Sequence, residues 1–298
     1  MLPTKDGVSP SCVVTPAGPW PTMLAFLAER IPAVSAEDWA ERMATGEVLD
    51  AQGQPLPRHA PFKGQQRLYY YRRLAFEHPI PFEEAVVFQD EFIVVADKPH
   101  FLPVTPKGRY VQETLLVRLK RRLGIDSLVP MHRLDRETAG LLMFTIQPAT
   151  RHAYQSLFRD RAVSKVYEAV AAAPGPGLHF PLTRHSRLEE SARFMAMHEV
   201  DGEPNAETRI ELVEQKGARA LYRLHPHTGQ KHQLRAHMNA LGLPLLGDRI
   251  YPVLQPDLAE GEAPDYRHPL QLLARELRFT DPLTGQPRHF TSGRQLDW

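Results

Sequence analysis

A chain of 298 residues, 42% hydrophobic and 24% charged, is long enough to bury a sizeable core and has the balance of a soluble globular protein. Cys12 is its only cysteine, which excludes an internal disulfide and suits a reducing compartment. No apolar run approaches the roughly 20 residues that cross a bilayer, and the opening MLPTKDGVSPSC has neither the basic start nor the apolar core of a signal peptide, so a cytoplasmic protein is expected. The net charge of +1 is unevenly spread. Residues 105–136 hold eight Lys or Arg against three acids, and residues 215–240 hold five with four histidines and no acid. Such segregation fits a polyanion site or an ordinary solvated face, and charge alone does not choose between them.

In chain order, residues 1–21 are Pro-rich and read as irregular. TMLAFLAERI predicts a short helix. Ser35 opens a second, SAEDWAERMATG, with Asp38 in a capping pattern and Gly46 as its stop. EVLDAQGQPL reads as a strand and turn, and residues 52–67 as a linker. A domain boundary is expected near residues 78–84. AVVF and FIVVADKP then form a hairpin, and ETLLVRLKRRLG an amphipathic helix with Leu115, Leu119 and Leu123 on one face. GLLMFTI reads as a buried strand, ATRHAYQSLFRD as a helix and SKVYEAVAAA as a strand. ETRIELVEQKGARALYRLHP is a hairpin, GQKHQLRAHMNALG a helix, and RELRFTDPLTGQPRHF a closing hairpin. Hairpins mixed with helices, without regular βαβ alternation, predict an α+β fold.

The chemistry concentrates in MHRLDRETAG at 131–140. Asp135 stands among cations beside an apolar strand. A structural ion pair would explain it, and so would a carboxylate kept ionised for nucleophilic or electrostatic work. A conventional glycosidase needs a second carboxylate of raised pKa, and none announces itself. His225, His227, His232 and His237 match no zinc spacing, and cysteine ligands are absent, so no metal is expected.

The order of motifs narrows the choice. DKP at 97–99, HRLDRETAGLL at 132–142, SKVYEA at 164–169 and TGQKHQLRAHMNALGLPLLGD at 228–248 together resemble the RluA-like RNA pseudouridine synthases, over roughly residues 84–295. The resemblance implies a pseudouridine synthase fold, with a twisted mixed, largely antiparallel sheet and flanking helices. It also implies a cofactor-free isomerisation of uridine in ribosomal or transfer RNA by a monomer without a metal. Asp135 would be the catalytic aspartate, attacking the sugar or assisting elimination to a glycal. Tyr167 would pack against the target base and move its proton, and Arg235 would pair with Asp135. Arg133 would fill the space left by the extruded uridine. His132, Lys98 and Gln233 would support the site or contact phosphate, and Lys231, with Lys120, Arg121 and Arg122 on the basic helix, completes the expected RNA contacts.

Two departures stand out. Ala139 replaces the serine usual in this family, and TGQKHQ replaces TGRTHQ, which moves the cation from position 230 to Lys231. Residues 22–78 resemble a small α/β RNA-binding module with its linker, ahead of a catalytic domain over 79–298. That module looks degenerate, because residues 21–60 carry three bases against six acids and cationic contacts dominate RNA affinity. A catalytically silent RNA-binding protein on the same scaffold is the alternative reading, and intact Asp135, Tyr167 and Arg235 argue against it.

Overall fold

Two capped helices begin the fold as their sequences require. In the computed structural model, which describes residues 2–74, 76–191, 196–256 and 262–298, α1 (Met23–Arg30) starts where the Thr22 side chain accepts from the Ala25 N–H. In α2 (Ala36–Ala44) the Ser35 hydroxyl accepts from Asp38 N–H at 3.1 Å. Gly46, at φ +72°, turns the chain into β2 (Val48–Leu49). Two further strands correct the sequence reading: β1 (Ser11–Val14) lies inside the stretch expected to be irregular, and β3 (Arg67–Tyr70) follows directly from the expected linker. They form an antiparallel sheet in the order β1-β3-β2. Each is only four residues long, too short to show a period, and Leu68 earns its place by packing with Phe26, Leu27, Trp39 and Met43.

The chain divides into two compact units. The first is Met1–Glu77 with Pro106–Gln112 and Val117–Asp126, and the second is His78–Thr105, Glu113–Leu116 and Ser127–Trp298. Thus the basic helix α3 (Leu115–Leu123), expected within a domain over 79–298, belongs from Val117 onward to the first unit. The cause is packing: Val117 is buried with Val8 and Val111, and Thr4 donates to Asp126. Recruiting these segments also changes the charge. The first unit holds fourteen Lys or Arg against nine Asp or Glu, so the acidity of residues 21–60 does not describe the folded unit.

The second unit is built on one long sheet. Its elements are β4 (Ala85–Gln89), β5 (Ile93–Lys98), β6 (Val129–Pro130), β7 (Ala139–Thr145), α4 (Arg151–Arg159), β8 (Ser164–Ala172), β9 (Leu182–Glu190), β10 (Met197–Val200), β11 (Ala206–Lys216), β12 (Arg219–Pro226), α5 (Gln233–Ala240), β13 (Leu272–Thr280) and β14 (Pro287–Thr291). The order is β10-β9-β11-β12-β8-β13-β7-β5-β4, with β14 on β13 and β6 on β7. Only β13 against β7 is parallel among the described strands, so the sheet is mixed and largely antiparallel. β9 and β10 escaped the sequence reading because LTRHSRLEE has weak apolar alternation, with only Ser186 and Leu188 buried.

Burial follows the patterns read from sequence. β7 is buried throughout, and β12 alternates, with Ala220, Tyr222 and Leu224 inward. One core joins these side chains to Leu234 and Met238 of α5, and a second gathers Ile93, Leu141, Met143 and Phe279 around Tyr154 of α4. No helix among the described residues is long and apolar enough to cross a membrane.

Candidate active site

Asp135 sits in the turn between β6 and β7, and three local features fix that turn. Thr138 N–H donates to the Asp135 carbonyl at 3.2 Å. Gly140, at φ +109°, lies so close to β13 that a Cβ there would meet the Ala274 carbonyl oxygen at 2.3 Å; only glycine lets the turn enter the sheet here. The Lys98 ammonium donates to the carbonyls of Pro99 (2.9 Å), Leu102 (2.8 Å) and Arg136 (2.9 Å), tying β5 to the residue after Asp135. Lys98 is fully buried and its three donors are used, so of the two roles expected for it, site support and phosphate contact, it takes the first and does not reach RNA. Burial lowers its pKa to about 7.

Arg235, on the first turn of α5, brings the cation. Its Nη1 is 3.3 Å from Asp135 Oδ2, while Nε and Nη2 make a bidentate pair with Asp248 at 2.8 and 2.7 Å. Asp248 also accepts from the N–H groups of Ile250 and Tyr251. Burial alone would push the guanidinium down, but hydrogen bonds and charge from Asp248, joined by Asp135, hold its pKa above the ordinary value. Arg235 and Asp248 side chains are 2% and 0% exposed, and Asp135 is 20% exposed. The firm pair is therefore Arg235–Asp248, which aims the remaining N–H at Asp135. Asp248 was not singled out from sequence, although it closes the TGQKHQ…LGD motif.

His232 caps α5 in the left-handed region at φ +50°. This is why the helix starts at Gln233 and not near Gln230 as expected. Its Nε2 is 3.8 Å from Asp135, but burial, partly opposed by Asp135, lowers its pKa to about 4. At neutral pH it is an uncharged neighbour. Gln233 is buried too: its Oε1 accepts from Thr228 and Gln230, and its Nε2 donates to Glu207 and Thr208. It shapes the 228–231 loop.

Tyr167 lies on the central strand β8, in register with Leu224 and Ala274. Burial, then the charge of Asp135, raises its pKa, so the phenol stays protonated. His132 accepts from Met143 N–H through Nε2 and stacks on Phe158 at 4.7 Å. Burial, with the charge of Lys165, lowers its pKa to about 3. A neutral, stacked imidazole is a poor phosphate ligand, so of its two expected roles His132 takes site support, as a wall.

These groups line one cleft of about 390 Å³, which holds Asp135, Tyr167, Arg235, Arg133, His132 and Gln233 together. That volume falls within the range of small-ligand sites. Asp135 is the only carboxylate among its described lining residues, and Arg133, Arg159, Arg161 and Lys165 share that lining. The other expected contacts lie elsewhere. Lys231 pairs with Glu190 at 2.8 Å. Lys120 is buried, donating to Ser9, whereas Arg121 and Arg122 are exposed on α3 in the first unit. No group of three or more metal-binding side chains occurs among the described residues.

A cleft with one cation-held carboxylate, set on a mixed sheet, belongs to a recognisable class. A family model of RNA pseudouridylate synthases matches residues 92–240. The chain belongs to that family, and it is an RNA pseudouridine synthase, an isomerase. It is 30% identical to an uncharacterised RNA pseudouridine synthase of Synechocystis, over 77% of this chain and 79% of that protein. A dual-specificity RNA pseudouridine synthase, RluA of Haemophilus influenzae, matches at 28% over 70% of this chain and 91% of its own length. Among solved structures, human RNA pseudouridylate synthase domain containing 1 has the same fold (TM-score 0.57, 22% identity), covering 71% of this chain and 84% of that one. The chain spans less than a third of some longer relatives.

Proposed function

We propose that the cleft takes one uridine swung out of ribosomal or transfer RNA and isomerises it through Asp135. The observation that carries this reading is Asp135, the one carboxylate among the described residues of the cleft, held beside Arg235 and within reach of solvent. The base–sugar C1′–N1 bond breaks, the uracil turns, and C5 joins C1′; the proton C5 loses is matched by one gained at N1. Direct attack by Asp135 on C1′ and elimination to a glycal both use a carboxylate here. Tyr167 packs on the base as a neutral phenol. Arg133, exposed at the cleft and without a side-chain partner among the described residues, replaces the extruded base in the RNA stack, offsetting part of the few kcal/mol of unstacking. The reaction conserves atoms and electrons, so it asks for no redox cofactor. The lone cysteine supports a cytoplasmic setting.

Purified protein should release tritium from ribosomal or transfer RNA labelled at uridine C5, in step with pseudouridine formation. Release from neither RNA class would remove this substrate assignment. We further propose that Arg121 and Arg122 contact phosphate. Changing both to Gln should flatten the slope of log affinity against log salt by about 1 to 2 and leave the rate at saturating RNA unchanged. An unaltered slope in binding titrations would take α3 off the RNA surface.

A further inference from the structure

Lys165 belongs neither to the Asp135 turn nor to the Asp135–Arg235–Asp248 network. It stands two residues before Tyr167 on β8, so both side chains leave the same face of the strand, and both line the cleft. It is partly enclosed, and burial lowers its pKa. It has no hydrogen bond or ion pair among the described residues. The neighbouring imidazole, His132, is neutral, and the only carboxylate among the described lining residues, Asp135, is paired with Arg235. An enclosed ammonium without a counter-charge weakens a fold unless something else compensates it.

We propose that Lys165 is a further catalytic residue, holding the negative charge that uracil carries while it is detached from the ribose. This rests on the reading of Asp135 and Tyr167 given above. When C1′–N1 breaks, its electron pair leaves with the base and spreads from N1 to O2, O4 and C5. C1′ is then captured by the Asp135 carboxylate, or loses its C2′ proton to give the glycal. Rejoining uses the pair at C5, and the proton shed from C5 is balanced by one taken up at N1.

Position favours the base over phosphate as the partner. Lys165 lies roughly 6.6 Å along the strand from Tyr167, about one ring-width from the residue proposed to carry the uracil. Exposed Arg133, Arg159 and Arg161 already offer cations at the open part of the lining. Intact uracil is neutral, so the interaction strengthens only as the bond breaks and acts on rate, not on affinity.

Lys165→Met tests this under single-turnover conditions at saturating RNA. The rate on uridine RNA should fall about 100-fold, the scale of one lost charge-stabilising donor, with RNA affinity and salt slope unchanged. The unfolding midpoint should not drop, because no partner is lost. On RNA carrying 5-fluorouridine, whose base bears negative charge more easily, the deficit in C1′–N1 cleavage should shrink. Lys165→Arg, which keeps the charge, should recover part of the rate. Equal deficits on both bases, an unchanged rate, or weaker binding with a flatter salt slope would overturn the proposal, the last making Lys165 a phosphate contact. A lowered midpoint would make it structural and overturn it too. Asp135→Asn, run alongside, separates the two readings. If it stays active, the site assignment itself fails; if it is dead while Lys165→Met is unimpaired, only the Lys165 inference fails.

Discussion

Arg235→Met should abolish isomerisation and destabilise the fold by about 3 to 5 kcal/mol, the scale of breaking a buried ion pair from one side. The stability loss comes chiefly from Asp248, whose fully buried carboxylate would keep only the N–H groups of Ile250 and Tyr251. The activity loss comes from Asp135, which would face the cleft without its cation. These effects are separable. Adding Asp248→Asn should restore most of the stability by removing the orphaned charge, and should restore no activity. Arg235→Lys keeps the charge, but a single ammonium cannot hold Asp248 bidentately and reach Asp135 as the guanidinium fork does, so it too should be nearly inactive. Chemical denaturation and tritium release on the three variants would check this. A double variant that regained activity with stability would show that Arg235 acts through the fold alone.

The candidate reacting groups were more legible in the sequence than their supports. HRLD, KVY and HQLRAH put Asp135, Tyr167 and Arg235 in view as candidates through motif order, and the fold gathers them in one cleft. What the sequence could not show was which polar groups point inward. Lys98 read as a site support or a phosphate contact and Lys120 as a cation available to RNA, yet one is saturated by three carbonyls and the other is buried against Ser9. His132 read as a support or a contact and is a stacked wall. Asp248 lay inside a recognised motif, but its partner is thirteen residues away across a loop, and no local period marks such a pair. Lys165 is the reverse case. Its strand was legible from apolar spacing, and its lack of a partner is visible only once the facing elements are in place.

The fold was legible to a similar extent and for similar reasons. Strands with a buried face, such as β7 and β12, announced themselves, as did helices with side-chain caps. Short or polar strands, β1, β3, β9 and β10, did not. The grouping of α3 with the first unit depends on Val8, Val111 and Val117, residues more than a hundred positions apart at their extremes, and such long-range packing leaves no mark on any one window.

Asp135→Asn separates a reacting carboxylate from a merely structural one. Asn has nearly the same shape and can still accept from Arg235, so packing is preserved while the negative charge and the nucleophilic oxygen pair are lost. The measurement is tritium release from C5-labelled RNA under single turnover, with RNA binding and unfolding followed on the same preparation. Wild-type binding, a folded protein and no release above background are expected. Release at even a few per cent of the wild-type rate, from protein freed of any reverted Asp, would contradict the reacting role of Asp135.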